Sequence, residues 1–203
     1  MKNAKYFLLS IFIFSIASGT VLAQAFADGA NVISIGFGIP PGQRLKNDFN
    51  NVYKNYIDYK FKNYGTGELK YEHGLHKYFG LGLNFEYSGA SASYKYDDAN
   101  TLRYERKINI NVFGVYARFN GHFPIMEKLD LYGGVGLGYL YTINKNTDTN
   151  PNPNVNTQQK QTVLDFDYQF TLGVRFMIKN NIGIFAEGGW ATTPFQIGLA
   201  FKF

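Results

Sequence analysis

The chain has 203 residues, with 20 Lys and Arg against 15 Asp and Glu, and no cysteine. That length suffices for one ordinary domain, and the missing cysteine excludes a disulfide framework, a thiolate metal site and an acylated lipoprotein N-terminus. The modest positive charge is scattered rather than gathered into a patch, which argues against a nucleic-acid partner, while 22 Gly, 16 Tyr and 19 Phe favour strands over helices.

The first segment, MKNAKYFLLSIFIFSIASGTVLAQA, sets Lys2 and Lys5 before an apolar run from about Phe7 to Ala17, followed by small residues. These are the parts of a secretory signal, with cleavage expected after Ala23 or Ala25, and the run is short for a spanning helix. The expected division is therefore a signal peptide over 1–23 and a mature domain over 26–203. Losing Lys2 and Lys5 leaves 18 basic against 15 acidic side chains.

Beyond the signal segment the hydrophobic pattern has mostly period 2. Ile33, Ile35, Phe37 and Ile39 alternate with Ser34, Gly36 and Gly38 before Pro40 and Pro41 end the strand. A second strand, about Glu68 to Leu75, sets Leu69, Tyr71 and Leu75 against Lys70, Glu72 and Gly74. The third sets Phe79, Leu81, Leu83, Phe85 and Tyr87 against Gly80, Gly82, Asn84 and Glu86. In the fourth, about Lys107 to Phe119, the apolar phase changes between Val112 and Val115, and a bulge near Phe113 and Gly114 is the expected cause. The fifth, Leu129 to Tyr141, faces Gly134, Gly136 and Gly138 away from Val135, Leu137 and Tyr139. The sixth alternates from Leu164 to Phe176, the seventh from Ile182 to Trp190, and the eighth is FQIGLAFKF, Phe195 to Phe203.

Connections over 41–65, 96–106 and 144–161 are long, and those near His76–Tyr78, Gly121–Lys128 and Lys179–Asn181 are short; only the last, near Thr192–Pro194, breaks the alternation by being brief. Long loops at one end and tight turns at the other is the transmembrane-barrel arrangement. In the first long loop Leu45, Phe49, Val52, Tyr53 and Tyr56 are spaced for a short amphipathic helix, and the third, rich in Asn, Thr and Gln, has almost nothing to bury.

Alternation alone does not say which face is inside, but volume does. Eight strands enclose an interior just wide enough for side chains, and the apolar faces, rich in aromatics, would overfill it. The other face fits, because its small residues leave room for Lys70, Arg118, Arg175 and Lys202 to reach Glu72, Glu86, Asp130, Asp165, Asp167 and Glu187. Such charges are tolerable only when paired. The rival is a soluble two-layer sandwich, which also holds many aromatics; the loop alternation and the chain end favour the barrel.

The signal segment, the alternating strands and a terminal Phe203 preceded by Phe195, Ile197, Leu199 and Phe201 at every second place resemble the small bacterial outer-membrane β-barrel proteins, the eight-stranded class of the outer membrane protein beta-barrel domain. The resemblance covers essentially the whole mature chain. It implies an all-β, eight-stranded antiparallel up-and-down transmembrane barrel in a Gram-negative cell outer membrane. It further implies both termini in the periplasm, long loops outside the cell, and a C-terminal strand, Phe195 to Phe203, read by the barrel-assembly machinery. A closed barrel also satisfies every backbone group within lipid.

Three functions compete: a structural or surface-interaction barrel, a small porin-like channel, and an outer-membrane enzyme. The only histidines, His73, His76 and His122, fall toward the periplasmic end, which disfavours an outer-leaflet hydrolase. No cofactor is expected. Asp165 and Asp167 read as partners of luminal Arg or Lys rather than a proton-sharing or metal-binding pair. Gly134, Gly136 and Gly138 read as one strand face rather than a phosphate loop, and YDDANT, Tyr96 to Thr101, as a polar loop rather than a Ca²⁺ site. The expected partners are outer-membrane lipid and an extracellular ligand at 41–65. There Arg44, Lys46, Lys54, Lys60 and Lys62 interleave with Phe49, Tyr53, Tyr56, Tyr59, Phe61 and Tyr64. Those aromatics otherwise extend strands and form the interfacial girdle, together with Tyr87, Tyr139, Tyr141 and Trp190.

Overall fold

The computed structural model describes residues 25–39, 50–98, 102–152 and 159–203. Eight strands follow in chain order: β1 (Asn31–Ile39), β2 (Ile57–His76), β3 (Phe79–Asp97), β4 (Arg103–Met126), β5 (Leu129–Asp148), β6 (Lys160–Lys179), β7 (Ile182–Trp190) and β8 (Phe195–Lys202). Each pairs antiparallel with the next, and β1 pairs with β8 to close a barrel. At the seam Asn31 and Phe203 exchange backbone hydrogen bonds of 3.0 and 2.9 Å, so the membrane cylinder has no open edge.

The apolar phase faces outward. Leu69, Leu81, Val115, Leu137, Phe170 and Leu199 are exposed, while Lys70, Asn84, Arg118, Gln169 and Gln196 are buried. On β4 the outward set runs from Phe113 to Phe123, about 34 Å of strand, which at a tilt of about 40° stands about 26 Å tall. That is the height of an outer-membrane apolar band. Tight turns at Lys77–Tyr78, Glu127–Lys128 and Asn180–Asn181 lie at one end.

Glycine on the inner face lets the strands approach closely. A Cβ at Gly198 would fall 2.1 Å from the carbonyl oxygen of Ile35 on β1. Gly65 serves the backbone instead, because its φ of +81° forms the β2 irregularity between Asn63 and Thr66, a conformation other side chains rarely adopt.

Two expectations change. β4 runs in unbroken register against β3 from Arg103 to Gly121, so there is no bulge at Phe113 and Gly114. The apolar phase switches because the surroundings switch. Below Phe113 the apolar side chains face lipid, whereas above it Ile108, buried, and Ile110 and Val112, half-buried, face inward in a part of the sheet outside the membrane. The strands are also longer than their alternation, since β2 absorbs 57–65, β3 and β4 most of 96–106, and β5 residues 144–148. Of the first-loop helix only one turn, 50–53, falls within the described residues; Leu45 and Phe49 lie outside them, as do Arg44, Lys46, most of the signal segment and 153–158.

The extensions are unequal. β1 reaches β2 only as far as Thr66, and β7 reaches β6 only as far as Phe170. The upper parts of β2 to β6 therefore stand above the rest as a five-stranded wall.

Candidate functional site

The lumen is filled by polar side chains that hydrogen-bond to one another in layers, of which the two nearest the turn end are joined. Because Glu68, Lys70 and Glu72 are two apart on β2, and Arg118, Asn120 and His122 two apart on β4, each set points inward together. Near the turn end, Glu72 accepts from Asn120 Nδ2 (2.5 Å), His122 Nε2 (2.9 Å) and Arg175 Nη2 (2.9 Å). The other His122 nitrogen lies 2.8 Å from Asp130, and Arg175 Nη1 is 3.8 Å from the same carboxylate. Phe26, ahead of β1, stacks on the His122 ring with centroids 3.5 Å apart and planes 7° from parallel.

The middle of the lumen is organised by Glu187. One oxygen accepts from Arg118 Nη1 at 2.7 Å, and the other from Lys70 at 3.0 Å and Tyr132 Oη at 3.1 Å. Lys70 also donates to Gln196 and pairs with Glu68 at 3.2 Å. Arg118 Nη2 donates to Thr171 (2.8 Å) and Asn120 (3.3 Å), which ties this group to the first. Farther up, Glu86 Oε1 accepts from Asn84 (2.7 Å) and Gln169 (2.6 Å), and Tyr116 donates to Asp167 at 2.8 Å.

Glu68, Glu72, Glu86, Asp130 and Glu187 thus share the interior with Lys70, Arg118, Arg175, Lys202 and His122, all buried. Buried charges persist only when so compensated. The space left among Lys70, Glu72, Arg118, Arg175 and Glu187 is about 20 Å³, room for about one water.

The ion-pair expectation does not extend to three of its residues: Glu86 accepts from the amides of Asn84 and Gln169 rather than from a cation, and the other two are the aspartates of β6. Asp165 is exposed, because β6 has already risen above β7, and Asp167 accepts from the hydroxyls of Tyr116 and Thr192 rather than from a cation. Sequence reasoning missed Glu68 and His122, although both are in phase with residues it chose. It turned Asn84, Gln169 and Gln196 toward the lumen by phase but, because they are uncharged, gave them no place between the ions, and it missed Asn120.

On the wall, Asp148 of β5 accepts from Arg106 Nε (2.8 Å), Tyr96 Oη (2.9 Å) and the Asn150 backbone N–H (2.9 Å). Burial pushes its carboxyl up, yet these donors outweigh it and hold the group below its ordinary range. Arg103 likewise holds Asp97 down. Within the expected ligand segment, Tyr53 and Tyr56 pack inward on Tyr94, with ring centroids 4.7 and 4.6 Å away. Both brace the wall, although Tyr56, like Lys60, Lys62 and Tyr64, remains exposed. Among the described residues there is no cluster of three metal-ligating side chains. Gly134, Gly136 and Gly138 face the lumen beside Asn120, Gln169 and Tyr116. In YDDANT, Asp97 pairs with Arg103 and Asp98 accepts from the Leu102 N–H; its last three residues lie outside the described ones.

A closed antiparallel cylinder with an apolar outside and a polar inside defines a transmembrane β-barrel. The chain belongs to the outer membrane protein beta-barrel domain family, whose model matches residues 12–203, and its place is the cell outer membrane. Among solved structures it is similar to Ail of Yersinia pestis, determined in complex with the heparin analogue sucrose octasulfate, at 15% identity and TM-score 0.47, covering 87% of this chain and 99% of that one. OprG of Pseudomonas aeruginosa is similar at 12% identity and TM-score 0.47, covering 89% and 98%. The N-terminal barrel of OprF from the same organism is similar at 12% and 0.45, covering 87% and 99%. No curated protein matches the chain.

Proposed function

We propose that the protein is a non-enzymatic outer-membrane barrel whose sealed lumen provides rigidity and whose wall, standing outside the cell, serves surface interaction. The observation that carries this reading is the middle of the lumen: Lys70, Arg118, Arg175, Glu72 and Glu187 bridge it from strand to strand, and the space among them is about 20 Å³. A porin-like path would need the Glu187 and Glu72 groups to separate, leaving charges buried without partners. An enzymatic reading finds no support in the histidines: the described hydrogen bonds join His73 to Asn31 and His122 to two carboxylates, never to a hydroxyl nucleophile. The outward Phe195, Ile197, Leu199, Phe201 and Phe203 of the β8 segment fit recognition by the barrel-assembly machinery.

Single-channel recording of the refolded protein in planar bilayers tests the sealed lumen. The expected trace is flat, and stable, reproducible openings would overturn the reading in favour of a small channel.

A further inference from the structure

Above the apolar band the outward face of the wall changes character, and the pairing register shows how. Lys60, Ser93, Lys107 and Thr147 face one another across β2 to β5, and Lys62, Ser91, Asn109, Lys145 and Lys160 do so across β2 to β6. These two rows contain five lysines and no acid. All five lysines are exposed, and none forms an ion pair or hydrogen bond among the described residues. The outward acids lie farther from the band: Asp58 is neutralised by Lys95 at 2.6 Å, Asp97 by Arg103 at 2.9 Å, and Glu105 faces Lys95 across the strands. Asp165 and Asp167 belong to the inward phase of β6.

Height above the membrane follows from the strands. Lys62 is two residues beyond Tyr64, Lys145 and Lys160 are four beyond Tyr141 and Leu164, and Lys107 is six beyond Phe113. That is about 7 to 20 Å of strand, or about 5 to 16 Å above the girdle at the barrel tilt. A lysine stem that reaches back toward the interface brings its ammonium to the level of lipid headgroups. The side chains point sideways, into the plane of the membrane, rather than up into solvent.

We infer that Lys60, Lys62, Lys107, Lys145 and Lys160 form a docking belt for the phosphate groups of outer-leaflet glycolipid. The choice of lipid over a soluble polyanion rests on direction and height: uncompensated cations beside an aromatic girdle meet the headgroup layer first, and a basic cluster next to a membrane is drawn to anionic lipid. The inference rests on the proposed orientation, with the wall outside the cell.

The test uses the full-length chain refolded into phosphatidylcholine vesicles containing either diphosphorylated lipid A or lipid A stripped of phosphate. The lipid retained after detergent extraction is quantified by mass spectrometry. The wild type is expected to retain the phosphorylated form about tenfold better. A variant with all five lysines changed to Gln should lose that preference, whereas Lys95→Gln with Arg103→Gln, which removes cations already paired with acids, should keep it. Heat-dependent gel migration reports folding of each variant, and Lys62→Gln with Lys145→Gln serves as a milder pair if the fivefold variant does not fold. An unchanged preference in the variants, or none in the wild type, overturns the inference. Dextran sulfate binding to the lipid A-free protein that vanishes in the variants, with no lipid preference, overturns it in favour of a soluble ligand. Protease added to intact cells tests the orientation separately: cleavage within 149–159 from outside supports it, and cleavage only after the outer membrane is opened overturns it, whatever the vesicles show.

Discussion

Replacing Glu187 by Gln and Glu86 by Gln removes the same charge from two places in one lumen, with opposite expected outcomes. Glu187 faces two cations, Arg118 at 2.7 Å and Lys70 at 3.0 Å, and all three side chains are buried. Glu187→Gln leaves those cations under-compensated, and breaking a buried pair from one side costs about 3–5 kcal/mol. Lys70 keeps Glu68 as a partner at 3.2 Å, which places the expectation near the lower end, at about 3 kcal/mol. Glu86 is met by neutral groups instead: both its donors, Asn84 and Gln169, use Oε1, and Oε2 has no hydrogen-bond partner among the described residues. Gln keeps the accepting oxygen and removes a poorly compensated charge, so Glu86→Gln should be neutral or stabilising by up to about 1 kcal/mol. Trp190, the only tryptophan in the chain and 71% exposed on the lipid face, makes urea unfolding readable by fluorescence in bilayers. Equal effects of the two substitutions, both below about 1 kcal/mol, would show that water screens the lumen and would refute the sealed-network argument.

Leu199→Arg or Phe170→Arg, both on the lipid face, should each cost about 2–4 kcal/mol if near the bilayer midplane in the same unfolding assay; a harmless substitution contradicts the face assignment. Phe26→Ala removes the ring stacked on His122 and should lower stability by about 3 kcal/mol, with faster hydrogen exchange at the turn end of β4. At the wall, the carboxylate of Asp148 is held below its usual range, so its contribution is complete above the ordinary carboxylate value and is lost as pH falls through the lowered one. Protease sensitivity of the wall tip should therefore rise in acid, and Asp148→Asn should flatten that dependence while raising sensitivity at neutral pH. Phe203→Ser removes the aromatic side chain at the seam and should reduce the folded, heat-modifiable fraction recovered from cells more than the fraction obtained by refolding in detergent.

The membrane part of the barrel is legible in the sequence because lipid and a narrow lumen impose opposite demands on successive residues, as in Leu81–Gly82–Leu83–Asn84 and Phe170–Thr171–Leu172–Gly173. The wall is less legible. KNTD at 145–148 and Arg103–Lys107 lack a greasy outward face, so these strands carry no apolar alternation and look like loops, whereas in 57–65 Ile57, Tyr59 and Phe61 do alternate with Asp58, Lys60 and Lys62 but turn their apolar phase away from the exposed lysines. The phase change in β4 mimics a bulge as long as a single face is assumed to meet a single medium along the whole strand. His122 invites a test for catalysis, whereas its phase with Arg118 is the signal that places it among the ions.

The unbroken register of β4 across that change of medium has a consequence for how the chain tolerates length variation. One inserted residue near Gly114 would exchange the faces on one side of it, sending either Arg118 and His122 into lipid or Ile108 and Ile110 into solvent. Two inserted residues would exchange nothing and would only lift the wall by about 7 Å of strand. Indels within these strands are thus tolerated by parity: even steps change reach, and odd steps scramble two media at once.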